Sequence, residues 1–95
     1  MFGSMFRMRP KAGARQQVID LMSAEGAGRT MKGFRASYVL EDAGGDLLGL
    51  AVFDDEKTYR DNAADPEQDQ WYRRLRALLE SDPEWHDGAI HAWTP

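Results

Sequence analysis

Leu47-Leu48-Gly49-Leu50-Ala51-Val52-Phe53-Asp54-Asp55-Glu56-Lys57-Thr58-Tyr59-Arg60-Asp61-Asn62 begins as an apolar run and turns acidic halfway along. The apolar part is too short and too glycine-marked for a helix, so it reads as a strand. Asp54-Asp55-Glu56 then places negative charge where the unpaired N–H groups of a helix start favour it. The stretch is therefore a strand feeding a helix. Asp54 or Asp55 serves as the cap, and Glu56 with Arg60 forms a favourably oriented pair one turn apart.

Upstream, Gly33 to Ala43 alternates in polarity and predicts a second strand, with Phe34, Ala36, Tyr38 and Leu40 on one side. Gly44-Gly45 is a favoured two-residue hairpin loop, which sets Tyr38 opposite Ala51 and Val39 opposite Leu50. One sheet face then carries Phe34, Ala36, Tyr38, Leu40, Leu47, Gly49, Ala51 and Phe53. The other carries Val39, Leu48, Leu50 and Val52. Both need cover, and helices in so short a chain can cover only one, so the second face is expected to meet its counterpart on another copy.

Further out, Met5 to Arg9 alternates apolar and basic residues before Pro10 and predicts the first strand, preceded by a loose end over Met1 to Ser4. Arg15 to Ala27 holds Val18, Ile19, Leu21 and Met22 at helical spacing, and Gly26, Gly28 and Gly33 carry the chain onward. The helix that begins at Asp54-Asp55 runs to about Ala64. Asp65-Pro66 is a cap followed by a first-position proline, so a second helix starts there and runs through Trp71, Tyr72, Leu75, Leu78 and Leu79. Glu84 to Gly88 reads as a turn, and Ala89 to Trp93 as the last strand. The order is βαββαβ with a broken second helix: an α+β, ferredoxin-like domain in which a four-stranded antiparallel sheet has both helices on one face.

Size and composition bound the rest. Ninety-five residues make a single domain over 1–95, small enough that oligomerisation is a natural way to complete its core. The 42% hydrophobic and 29% charged content is that of a globular protein, and a net charge of −4 opposes nucleic acid and anionic lipid as partners. No cysteine is present, which removes disulfides, thiol nucleophiles and thiolate metal sites. No apolar run approaches bilayer length, and the expected location is cytoplasmic, with no membrane partner.

The first strand, Gly33-Phe34 opening the second, the hairpin into Leu48 to Phe53, Asp54-Asp55-Glu56 with Tyr59, and the Asp65-Pro66 break together resemble the antibiotic biosynthesis monooxygenase-like family of dimeric α+β barrels. The resemblance covers nearly the whole chain. It implies a homodimer packed sheet face to sheet face, a ligand cleft between sheet and helices, and cofactor-independent monooxygenase chemistry on an aromatic or quinone-type molecule. Haem-degrading members use an asparagine on the first strand and a tryptophan and histidine on the second helical segment. Here the first strand offers Phe6, Arg7 and Met8, and Glu56 to Glu80 holds no histidine, so that pattern is unmet. Phenol-oxidising members have asparagine, tryptophan, tyrosine and arginine around the cleft, for which Asn62, Trp71, Tyr72 and Arg73 are the regional candidates.

From the residues themselves, Trp71 and Tyr72 suit an aromatic cleft wall as well as a core stripe, and Phe34 and Phe53 lie on the predicted inward face beside them. Tyr38 on that face needs a hydrogen-bond partner, and His91 in the expected last strand suits a general base near neutral pH; these two are the catalytic candidates. No metal is expected, since His86 and His91 fall on opposite faces, and no cofactor. Gly28 to Gly33 imitates half a phosphate loop but lacks its lysine and hydroxyl residue. The alternatives are a non-catalytic or stress-responsive ligand-binding dimer and an isomerase or lyase of the same layout.

Overall fold

A computed structural model describes residues 1–23 and 30–95. Among the described residues seven elements follow one another: β1 (Phe2–Met8), α1 (Arg15–Leu21), β2 (Phe34–Glu41), β3 (Leu47–Phe53), α2 (Glu56–Ala63), α3 (Pro66–Ala77) and β4 (Glu84–Ala89). The strands form one antiparallel sheet in the order β2-β3-β1-β4. This is the ferredoxin-like α+β arrangement, with the second helix broken into α2 and α3.

Both helix starts form where the sequence places them. Asp55 caps α2 by accepting from the Thr58 N–H at 2.8 Å, and the Asp55 backbone N–H donates to the Thr58 hydroxyl oxygen at 3.4 Å, closing a capping box. Asp65 caps α3 by accepting from the Glu67 N–H at 2.8 Å, with Pro66 in the first turn where its missing N–H costs nothing. The expected first helix is seen over Arg15–Leu21; its remainder from residue 24, with Gly26 and Gly28, lies outside the described residues.

Three expectations are corrected. The Met1 to Ser4 segment is not loose: β1 begins at Phe2, and Ser4 is buried with 2% of its surface exposed. The hairpin between β2 and β3 turns through three residues, Ala43 to Gly45. One Asp42 carboxylate oxygen accepts from the N–H groups of Gly44 (2.8 Å) and Asp46 (3.0 Å), and Gly45 takes φ +92, open to glycine at little cost. The register therefore slips by one, pairing Tyr38 with Leu50 and Val39 with Gly49. A one-residue slip turns every side chain of a strand over. Tyr38, Leu40 and Ala36 join Leu48, Leu50 and Val52 on the helix-free face, and Val39 and Ser37 turn inward. Finally, the last strand lies at Glu84–Ala89, where a turn was expected, and pairs with β1 so that Ser4 faces Asp87 and Phe6 faces Trp85.

The core sits between the sheet and the helices: Phe6, Met8 and Leu47 from the strands meet Val18, Leu75 and Leu79 from the helical side. Each such side chain contributes roughly 1.5–3 kcal/mol by leaving water. The core fills one half of the sheet–helix space, toward the Met8 end of β1. There Lys11 N–H donates to the Leu78 carbonyl (2.8 Å) and Glu80 N–H to the Arg9 carbonyl (2.9 Å), clipping the end of α3 to the sheet.

Candidate functional site

The other half of the same space is hollow. A cavity of about 900 Å³ lies between the sheet and the helices, and its walls come from each of the four strands and three helices described above. Its sheet wall is Ser4, Phe6, Ser37, Ala51, Phe53, Trp85 and Asp87; its helical wall is Leu21, Met22, Tyr59, Asn62, Ala63, Gln68, Asp69, Trp71 and Tyr72. Ser23, Thr30, Met31 and Phe34 complete the described rim. Apolar walls carrying a few polar groups of fixed position are the usual construction of a small-molecule site.

Most of the aromatic residues fall into two groups. At one end Phe34 meets Phe53 (centroids 5.6 Å apart), Phe53 meets Tyr59 (5.6 Å) and Phe2 backs Tyr59 (5.3 Å). At the other, Trp85 lies between Phe6 (4.8 Å) and Tyr72 (6.0 Å). These tilted and edge-on contacts fix the rings and leave flat surfaces for a planar guest. Phe6 can reach across because its neighbour on β3 is Gly49: a Cβ there would overlap the Phe6 ring. Trp71 serves both of the roles weighed from sequence. Its indole N–H donates to the Leu21 carbonyl at 3.0 Å, satisfying a carbonyl at the end of α1, while its ring lines the cavity.

The polar groups are fewer. The Tyr59 hydroxyl donates to Asp87 Oδ1 at 2.9 Å, joining α2 to β4. Partial burial, and then the bond to Asp87, push the Tyr59 phenol above its ordinary pKa of 10.0; the nearby Ser4 hydroxyl pulls it slightly back. That proximity falls short of a hydrogen bond, and Ser4 Oγ is buried with no hydrogen-bond partner. Asn62 Nδ2 donates to Gln68 Oε1 at 3.2 Å, tying α2 to α3 across their break. Asp69 pairs with Arg73 at 2.9 Å. Among the described residues, no lysine, arginine or histidine lines the cavity.

Of the residues singled out from sequence, Phe34, Phe53, Asn62, Trp71 and Tyr72 come together around the cavity. Tyr38 does not join them. The register slip puts it on the opposite face of the sheet, 62% exposed. His91 lies beyond the end of β4, exposed and off the cavity wall, while His86 sits in β4 facing away from the helices with Glu84 at 3.0 Å. Arg73 points outward to Asp69. Sequence reasoning missed Ser4, Tyr59 and Asp87. Tyr59 was within reach of it, because it precedes Asn62 by three residues and so shares its helix face.

The helices packed on one side of this sheet match known structures over almost the whole chain. A monooxygenase of Streptomyces coelicolor in complex with the ligand nanaomycin D superposes with a TM-score of 0.80 at 18% identity, over 99% of this chain and 91% of that one. SnoaB, a cofactor-independent oxygenase of Streptomyces nogalater, does so with a TM-score of 0.79 at 19% identity, over 99% and 96%. The chain has the fold of the antibiotic biosynthesis monooxygenases. A further structure of that name gives a TM-score of 0.72 at 13% identity, over 97% of this chain and 100% of the other. No family model matches the chain, and no curated protein does.

Proposed function

We propose that the protein is a cofactor-independent monooxygenase that takes an aromatic or quinone-type molecule into the cavity between sheet and helices. The observation that carries this reading is the cavity itself: about 900 Å³, walled by aromatic rings and opened in a fold whose similar structures include a cofactor-independent oxygenase and a monooxygenase in complex with nanaomycin D. In such chemistry the substrate supplies the electrons. An activated ring CH₂ flanked by aromatic carbons becomes a carbonyl, one oxygen atom of O₂ enters it, and the other leaves as water. The protein holds the ring between Phe53, Trp71, Tyr72 and Trp85, presents the Asn62 and Gln68 amides to its oxygens, and keeps bulk water away. Neither Tyr38 nor His91 carries a step in this proposal.

The active form is a homodimer. On the helix-free face Met5, Tyr38 and Leu40 are 50%, 62% and 61% exposed, and they adjoin half-buried Leu48 and Leu50. A contiguous apolar face of this kind favours a second copy of itself as its cover.

The test is oxygen uptake by the purified protein with a panel of hydroxylated polycyclic anthrones. The expected result is one O₂ consumed per quinone formed, with a single labelled oxygen atom in the product, and on the order of tenfold slower turnover in Asn62→Ala. No uptake above the buffer rate with any substrate removes the oxygenase reading and leaves a ligand-binding protein without catalysis.

A further inference from the structure

The sheet wall of the cavity is built in rows that run across the strands. Ser37, Ala51, Ser4 and Asp87 are successive register partners from β2 through β3 and β1 to β4, and all of them line the cavity. The first three carry the smallest side chains short of glycine. Two residues from Ala51 in either direction along β3, the rows turn aromatic. On one side Phe53 is the partner of Phe34, and Tyr59 closes over it from α2. On the other, Phe6 lies over its partner Gly49 and meets Trp85, which Tyr72 approaches from α3. A trough floored by small residues therefore lies between two aromatic ridges. With strands about 4.8 Å apart it spans roughly 14 Å, from the edge strand β2 to the edge strand β4, where Asp87 is exposed. Trp71, the largest side chain of the helical wall, is tethered to the Leu21 carbonyl at 3.0 Å, which keeps its ring from swinging down onto this floor.

We propose that Ala51 is the residue that determines the size of molecule the cavity admits. A larger side chain at this position divides the trough and leaves only its β1–β4 part, a length of roughly 5–10 Å. A flat guest of three fused rings laid across the strands needs the whole floor, whereas a guest of two rings fits on what remains. Ser37, next in the row on the edge strand, acts in the same direction at the β2 end. This role rests on the cavity being a small-molecule site, and it holds whether or not the guest is oxygenated.

Titration of the full-length protein with 1,4-naphthoquinone and 1,4-anthraquinone tests it, since the two share one quinone ring and differ by one fused ring. Quenching of tryptophan fluorescence reports binding because Trp71 and Trp85 line the cavity, and the chain has no cysteine for either quinone to react with. The unmodified protein should bind 1,4-anthraquinone roughly tenfold tighter, from the added apolar area. Ala51→Leu should weaken 1,4-anthraquinone about tenfold or more and leave 1,4-naphthoquinone within about threefold of its original affinity. Ser37→Leu should move the ratio the same way, and Ala51→Ser should keep the original preference. Equal affinities for the two quinones in the unmodified protein, an undiminished preference in Ala51→Leu, an equal loss of both quinones in that variant, or no binding of either each overturns the inference. Size selection that moves with Ala51 but comes without oxygen uptake would retain it and remove the oxygenase reading, whereas oxygen uptake with the same range of substrates in Ala51→Leu would do the reverse.

Discussion

Ser4 and Tyr59 behave differently from ordinary wall residues, and each makes a measurable claim. A buried hydroxyl without a partner costs about 1–3 kcal/mol relative to one that is bonded. Ser4→Ala should therefore leave the melting temperature of the ligand-free protein unchanged or raise it, contrary to the usual loss from substitution at a buried position. Differential scanning calorimetry of the two proteins checks it, and a melting temperature lowered by several degrees in Ser4→Ala would show that the hydroxyl is paired in solution. For Tyr59 the sign follows from its raised pKa. The folded protein prefers the neutral phenol, so this contribution is fully present below the unfolded pKa near 10 and is lost as pH rises through the higher folded value. Stability measured by urea titration should accordingly fall more gently above pH 10 in Tyr59→Phe than in the unmodified protein. An identical alkaline slope in both would show that the phenol ionises alike in the two states.

Among the elements, the turn into β2 and the start of α2 are locked together. Gly33 has φ +77, and a Cβ there would stand 2.5–2.6 Å from the Thr58 side chain, which is itself fixed by the capping box with Asp55. Gly33→Ala adds left-handed strain to that overlap, and a loss of about 2–4 kcal/mol is expected by chemical denaturation. The capping box has a pH signature too. The Thr58 N–H and hydroxyl hold the Asp55 carboxyl below its ordinary pKa, so its contribution is present above the unfolded value of 3.8 and is lost as pH falls through the folded one. The helix starts at Asp55 and Asp65 were legible because a cap, a proline and an acidic first turn are local chemistry. The hairpin register was not. Gly44-Gly45 invites a two-residue loop, but Asp42 reaches across to two backbone N–H groups and draws the turn to three. The last strand was missed for a related reason. Its inward residues Trp85 and Asp87 differ in polarity while Glu84 and His86 face away, so β4 carries no hydrophobic alternation to read, and the apolar Ala89 to Trp93 segment drew the assignment instead. With β4 misplaced, the polar end of the cavity was invisible from sequence, although its aromatic walls were not.

At the scale of the molecule, the slip in register moved Tyr38 and Leu40 outward and enlarged the apolar area of the helix-free face over that expected from the sequence. The dimer proposed for that face makes a direct prediction. Leu40→Glu places a charge on the patch without touching the core, so light scattering should report one chain's mass at micromolar concentration, against two for the unmodified protein. A two-chain mass in both would place the interface elsewhere.

Ser4 and Asp87 sit far apart along the chain yet face each other across the pairing of β1 with β4. The stretch of cavity wall that β1 and β4 share therefore exists only when this most sequence-distant pairing of the sheet is formed. Occupancy should then act as a proofreader of completeness. A guest that grips both strands holds the sheet's outer seam shut, and amide exchange along β4 should slow more on ligand binding than exchange along β2.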